Sequence, residues 1–321
     1  MNRFRRLRRN ETIRHLVRET RLSKDQLIQP FFVVEGKNSQ ETIPSMPGIY
    51  RFSVDLLLRA LERYQNSGGR AGLLFGIPLS SKKNLKGTQG YSSSGIVQKA
   101  VMAIKKEFPD FFIITDICLC AYMSHGHCGV VENGIVDNDK TLSLLGKIAV
   151  SHAQAGSDMV APSDMMDLRV RHIREELDRN GFQDIPIMSY AVKYASAFYG
   201  PFRDALDSTP QFGDRKTYQM DYANQREALK EASQDIQEGA DLILVKPALA
   251  YLDVISLLRS QTTAPIAAYS VSGEYSMIKA AAHSKWINER DVVLETLTAI
   301  KRAGADLIIT YHAGDVLRWL D

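Results

Sequence analysis

All three cysteines of this 321-residue chain fall within one stretch, 115–129, TDICLCAYMSHGHCG. Cys118, Cys120 and Cys128 stand there beside His125 and His127. Three convergent thiolates suit a soft cation, zinc being the common choice. Either histidine could supply a fourth ligand and close a structural site. Three ligands alone would leave a position open to water or substrate, the catalytic arrangement. Spacing leaves both forms of zinc site open. A plainer alternative, thiols buried as small hydrophobes, does not explain why all three crowd together. A second chemistry comes from two lysines. Lys193 closes the apolar run IMSYAV, and Lys246 closes ADLILV. An amine at the end of a buried strand loses hydration, so its pKa falls from about 10.4, and a second ammonium nearby depresses it further. A neutral amine can attack a ketone and form a Schiff base. A lone lysine in such a place could equally be a salt-bridge partner; two facing one mouth favour covalent chemistry.

The elements that must position these groups read as eight apolar runs: 27–34, 71–76, 111–119, 156–163, 185–193, 239–247, 264–273 and 304–314. They are continuously apolar rather than alternating, as strands covered on both faces are. Helical patterns separate them. Residues 53–69 are one example, with Ser53 as the expected cap and Gly68–Gly69 as the stop. The phrases AGSDMV, EGADLILV and AGADLIIT repeat one helix-to-strand junction. Eight such units predict a TIM (β/α)8 barrel, whose chemistry sits at the C-terminal ends of the strands. An open doubly wound sheet is the alternative, but no G-x-G-x-x-G follows a strand. Asp116, Ser163, Lys193, Lys246, Ser272 and Tyr311 then gather at one mouth.

Composition restricts the function classes. Hydrophobic residues make up 45% and charged residues 24%, as in an ordinary globular chain, and the net charge of +3 is too mild to argue for nucleic acid. No run approaches the ~18 apolar residues of a membrane span. The basic start MNRFRRLRRN leads into no apolar segment, so it is not expected to be a secretory signal. An odd, low cysteine count fits a reducing compartment, and the expectation is a cytoplasmic protein. Residues 1–22 read as an arm lying on a neighbouring subunit, with Asn10 as a helix cap and Ile13, Leu16 and Val17 on one face. Residues 23–321 read as the barrel. Residues 200–222 carry Gly, Pro, Asp and two arginines, and read as a lid spanning about 197–223.

The motifs TDICLCAYMSHGHCG, APSDMMD, MSYAVKYASAFYGPFRDA, ADLILVKPA and SVSGEYSM together resemble the 5-aminolevulinate dehydratase (porphobilinogen synthase) family. The resemblance runs from the basic arm to YHAGDVLRWL. It implies condensation of two 5-aminolevulinate molecules to porphobilinogen with loss of two waters, an early step of tetrapyrrole (heme) biosynthesis. By the same resemblance, Lys246 makes the Schiff base with the substrate supplying the propionate side, and Lys193 holds the other. Cys118, Cys120 and Cys128 match the ligands of the zinc-type members, and Asp116 the acid near the metal. Ser272 and Tyr311 match the pair binding the first carboxylate; Arg203 and Arg215 match the pair binding the second. Ser163, Tyr199 and Gln219 match further pocket positions, and Phe75 an apolar wall. Glu231 matches the acid that in some members holds an allosteric magnesium, though a glutamate on a solvated helix is the plainer reading. The family usually forms homo-octamers whose arms wrap neighbours.

Two features depart from the family pattern. Leu168 stands where the family often has Gly. Ala121 and Met123 stand where polar residues are common. Two rival readings remain: a Schiff-base aldolase, needing one lysine and no three-thiol site, and a zinc-stabilised binding protein without catalysis.

Overall fold

The computed structural model describes residues 2–320. Eight parallel strands form the barrel: Leu27–Val34, Ala71–Ile77, Phe112–Ile117, Met159–Pro162, Met188–Lys193, Leu242–Lys246, Ile266–Ser270 and Leu307–Thr310. Each pairs with its neighbour in chain order, and the first pairs with the eighth. The seam between the fourth and fifth strands closes through one bridge, Val160 to Ile187, with the Val160 N–H donating to the Pro186 carbonyl at 3.1 Å. The expected barrel is therefore present, nearly closed.

Strand residues alternate between two apolar layers. Phe32, Phe75, Tyr190, Leu244, Tyr269 and Ile309 belong to the cluster inside the barrel. Phe31, Leu74, Ile243, Val245, Ala268 and Ile308 pack under the helices. Rings from separate strands meet inside: Phe32 lies 5.7 Å from Phe75 and 6.1 Å from Tyr311, centroid to centroid. The interior is thus a filled aromatic core, and any polar group placed in it is desolvated.

One irregularity sets up the chemistry. Ser189 aligns with Ile243 and Val192 with Val245, so three steps on the fifth strand match two on the sixth. In regular pleating, residues 190 and 193 would face opposite sides. The extra residue turns both Tyr190 and Lys193 inward. Lys193 then lies directly across from Lys246 in the sheet.

Several local expectations change. The third strand ends at Ile117, so Cys118 and Cys120 lie in the turn beyond it rather than on one strand face. The seventh strand ends at Ser270, and Ser272 opens the helix Ser272–His283. Ser53 stands at the N-cap of Val54–Asn66 but makes no capping bond; its hydroxyl donates to the Asp55 carboxylate at 2.7 Å. Asn10 does cap its helix, accepting from the Ile13 N–H at 3.0 Å. The arm segments Phe4–Arg8 and Glu11–Leu16 bury no residue. The segment expected as a lid is partly helical, with Gly200–Leu206 as a short helix, and it buries Tyr199, Leu206, Arg215 and Gln219 while much of the rest is exposed.

Leu168 precedes the helix Arg169–Arg179 with φ 63° and ψ 11°, the left-handed region. That conformation costs an L-residue about 1–2 kcal/mol, and glycine adopts it freely. The physical reason for the family's glycine is therefore visible, and Leu168 is 44% exposed, so little packing opposes the change. Leu168→Gly is expected to raise the thermal midpoint by about 1–2 °C in calorimetry. An unchanged or lower midpoint would show that the leucine side chain contributes more than its backbone strain costs.

Candidate active site

Lys246 ends the sixth strand with its Nζ enclosed by rings. The centroids of Tyr269, Phe202, Tyr199 and Tyr190 lie 4.3, 4.6, 5.2 and 5.3 Å away. None of these groups offers a carboxylate. Burial pushes the amine down to about 7, and the Lys193 charge adds to the effect, while Asp116 and Cys120 oppose it. Lys193 donates from Nζ to the Ser163 carbonyl and lies 5.6 Å from the Tyr190 ring. The two lysines thus differ in setting: Lys193 is tethered to a carbonyl, and Lys246 is enclosed by π-faces.

Asp116 lies on the third strand, two residues before the first thiol. Burial pushes its carboxyl up to about 6, against the pull of the Ser163 hydroxyl and the two lysines. Its Oδ1 is buried without a hydrogen-bond partner among the described residues. It can therefore hold or release a proton close to both amines.

The thiols of Cys118, Cys120 and Cys128 converge, with all three sulfurs within 4.8 Å of one another and all buried. The turn after the third strand brings the first two together, and the Cys120 N–H points to the Cys118 Sγ at 3.5 Å. Hydrogen bonds from the other two thiols hold Cys128 well below the usual thiol range, with Arg215 and Lys193 assisting. Cys120 is pushed up to about 11, its charged form disfavoured by Cys128 and by burial, although a bond from Cys118 opposes this. Three buried sulfurs around one point, one of them already favouring its anion, fit a soft cation. Neither histidine joins them. His127 uses Nδ1 toward the Tyr218 hydroxyl at 3.1 Å and Nε2 toward the Phe212 carbonyl at 2.9 Å. His125 uses Nδ1 to accept from the His127 N–H at 3.1 Å. The described residues therefore offer three ligands, which is the open form of the site.

The 197–223 segment packs over this group. Its Phe202 ring meets Phe75 at 5.0 Å, making the apolar wall. Arg215 donates to the carbonyls of Gly126 and Ser208 at 2.9 and 2.7 Å, tying the lid to the cysteine loop. The Nε of Arg203, the Nε of Arg215 and both amide atoms of Gln219 are buried without partners among the described residues. Two cationic forks with spare donors and a free amide form a receptor for an anion. A second polar group lies across the mouth. The Tyr311 hydroxyl is 3.0 Å from that of Tyr269, and the Ser272 hydroxyl accepts from the Phe202 N–H at 3.0 Å. The Tyr199 hydroxyl donates to the Lys246 carbonyl at 3.0 Å, so it positions the strand end.

Glu231 lies elsewhere, in a pocket shared with Asp167, Asp221 and Glu227. Burial pushes its carboxyl up to about 7, helped by Asp235, Asp167 and Glu227 and against the pull of Arg169. It is not the fully solvated glutamate of the plainer sequence reading. Ala121 and Met123 are buried beside the cysteine turn, where they add apolar cover. Sequence reasoning missed the box around Lys246. Tyr269 was within reach, since it shares strand parity with Ala267, but Tyr190 faces inward only because of the bulge. His127 and Tyr218 were missed as a lid latch, having been weighed only for metal binding or not at all.

A barrel with paired buried amines and a three-thiol cluster at one mouth has the parts of an enzyme that works through an amine and a metal ion. Residues 1–319 match the family described as Delta-aminolevulinic acid dehydratase. The Bacillus subtilis (strain 168) delta-aminolevulinic acid dehydratase is 55% identical over 319 residues, covering 99% of this chain and 98% of that relative. The one from Synechocystis sp. is 55% identical over 320 residues, covering 98% and 97%. The crystal structure of delta-aminolevulinic acid dehydratase (porphobilinogen synthase) from Toxoplasma gondii ME49, in complex with the reaction product porphobilinogen, superposes with a TM-score of 0.98 at 46% identity. It spans 100% of this chain and 92% of its own. The chain belongs to the delta-aminolevulinic acid dehydratase family.

Two outcomes follow from the site's electrostatics. An amine titrating near 7 is protonated and inert below that pH and free above it. Schiff-base formation is therefore expected to climb about tenfold per pH unit on the acid side of 7 and to level off above it, as followed by single-turnover quench. A rate that is flat from pH 5 upward would contradict the assigned burial. For the thiols, Cys128→Ser is expected to leave no stoichiometric metal after dialysis, measured by atomic emission, and to lose activity in parallel. Full activity in that variant after chelation would remove the metal from catalysis.

Proposed function

We propose that this chain is a porphobilinogen synthase, a lyase that condenses two 5-aminolevulinate molecules to porphobilinogen with loss of two waters in tetrapyrrole biosynthesis. The observation that carries the mechanism is the pair of desolvated amines side by side on adjacent strand ends. Each substrate presents a carboxylate, a ketone and an amine. Lys246, its amine pushed down to about 7 and so free of its proton in a large fraction of molecules at neutral pH, attacks the ketone of the substrate that becomes the propionate side and forms a Schiff base. Lys193, with its ammonium tethered to the Ser163 carbonyl, holds the second substrate.

The carboxylates are told apart by their receptors. Ser272 and Tyr311 hold the first through hydroxyls. Arg203 and Arg215 hold the second bidentately, with Gln219 and Tyr199 lining the same pocket. Support for this division comes from the spare donors of the arginine pair. Phe75, against Phe202, keeps water from the imine. Asp116, beside both amines, takes and returns protons. Cys118, Cys120 and Cys128 would hold zinc, which when bound supplies Lewis acidity toward the second substrate. Most of the rate gain comes from fixing two identical molecules in different orientations. The lid, about 197–223, opens for entry and closes before chemistry.

Glu231 is assigned to an allosteric magnesium, supported by its acidic pocket. The exposed apolar side chains of the arm, Phe4, Leu7 and Leu16, support a homo-oligomer, an octamer in the family pattern. No nucleic-acid or membrane partner is assigned. No helix of the described residues is long and apolar enough to cross a membrane, and cytoplasmic location is the reading carried over from cysteine usage.

Borohydride reduction in the presence of 5-aminolevulinate, followed by peptide mapping, is expected to label Lys246, with Lys193 as the secondary site. Lys246→Arg, which cannot lose its proton, should abolish the label and cut turnover by roughly 10³-fold or more. A label on any other lysine overturns the assignment. A zinc-stabilised binding protein would trap no ketone on Lys246, and stoichiometry separates the aldolase, which joins or splits unlike partners rather than consuming two equal molecules.

A further inference from the structure

A second group of ligand-type side chains sits one residue beyond Tyr311, away from the chemistry described above. One oxygen each of Glu289 and Asp315 and one ring nitrogen of His312 lie within 4.8 Å of one another. The three come from the starts of two helices, Glu289–Ala303 and Ala313–Trp319, with His312 at the N-cap of the second. The carboxylates alone have an ordinary explanation. Acids are favoured in a first helical turn. Lys279 also neutralises them, its Nζ lying 2.5 Å from Glu289 and 3.7 Å from Asp315, and Arg318 reaches Asp315 at 2.5 Å.

His312 has no such explanation. It is 1% exposed, and both ring nitrogens are buried without a hydrogen-bond partner among the described residues. One face packs on the Tyr275 ring at 4.4 Å. Burial, with the Lys279 charge beside it, pushes the imidazole down to about 3, so it carries a free lone pair at any ordinary pH. A buried neutral imidazole aimed at two carboxylates is the donor set of a metal site. The cation now between the carboxylates is on a flexible stem. Lys279 also lines an open cleft of about 1140 Å³, bounded by Ser276, His283 and Trp319, into which its ammonium can withdraw.

We propose that Glu289, His312 and Asp315 form a second divalent-cation site, taking borderline ions of the zinc class through one nitrogen and two oxygens, in exchange with the Lys279 ammonium. One imidazole with two carboxylates favours such ions over magnesium, which prefers oxygen alone. The site is independent of the thiol cluster and does not rest on the reaction assigned above. Because His312 follows Tyr311 directly, occupancy fixes the strand end that carries a carboxylate-binding hydroxyl.

The test counts zinc per chain by atomic emission. Metal-free full-length protein is dialysed against buffered zinc, with excess magnesium present to fill the acidic pocket at Glu231. Wild type is expected to bind one equivalent beyond the thiol-held ion. Cys128→Ser should keep that extra equivalent, while His312→Gln and Asp315→Asn should each lose it and retain the thiol-held one, which also reports that they are folded. Lys279→Met removes the competing charge and should lower the free zinc needed for half-occupancy by at least about tenfold. The proposal fails if wild type and Lys279→Met both bind only the thiol-held ion. It fails equally if His312→Gln and Asp315→Asn retain the extra equivalent.

Discussion

An amine can act as a nucleophile near neutral pH only if its surroundings deny it a proton, and the rest of this structure is arranged around that constraint. A surface lysine is charged at neutral pH and cannot attack a ketone. Lys246 escapes because it ends a strand inside a filled barrel, where four rings enclose it and burial outweighs the pull of the nearby Asp116 carboxyl. The rings matter in two ways. They leave the ammonium poorly solvated, yet their faces still tolerate the positive imine that follows. A carboxylate in the same place would fix the proton and end the chemistry. Lys193, one strand away, adds charge repulsion without crowding, because its own Nζ is drawn to a backbone carbonyl.

The placement of Lys193 depends on one extra residue in the fifth strand. Without that bulge, its side chain would point into the helix layer, and the second amine would be lost from the mouth. The two carboxylate receptors obey a similar logic. Two identical substrates can be joined asymmetrically only if the protein makes them unequal before they react. Here one end of the site offers hydroxyls from the seventh and eighth strand ends, and the other offers guanidinium groups from the lid. Hydroxyls hold a carboxylate weakly and without altering charge. The arginine forks hold it bidentately and neutralise it. In the proposed reaction, that difference in receptor charge would set the two substrates apart.

Much of this was legible in the chain. The eight strands announce themselves as apolar runs because both their faces are covered, and Lys193 and Lys246 stand out because each closes such a run with a charge-bearing amine. The thiols were legible as a cluster, but the geometry that gathers them was not. The third strand stops at Ile117 and a turn does the work, a distinction that apolar content at 117–121 conceals. The bulge left no glycine or proline signature in SYAVK. The histidines misled in one respect: SHGH invites a fourth ligand, whereas His127 spends both nitrogens latching the lid. Ser53 has the right type and position for a cap and prefers Asp55. Leu168 was marked only by its departure from the family pattern, and the left-handed backbone supplies the cause.

The lid contacts bear on how binding and closure are linked in the proposed reaction. Arg215 ties lid to cysteine loop through carbonyls, and His127 with Tyr218 ties it again from the opposite side. Those contacts hold the 197–223 segment against the cysteine loop. They also leave the Nε atoms of Arg203 and Arg215 and the Gln219 amide buried and unpaired, which costs about 1–3 kcal/mol for each neutral group and more for a charged one. A substrate carboxylate satisfies these donors at once. Closure and second-substrate binding are therefore one equilibrium: each is unfavourable in part alone, and each relieves the other. This order protects the chemistry. In the proposed reaction, an imine on Lys246 would be most exposed to water before the second substrate binds, and the carboxylate that completes the second site would be the group that stabilises the cover.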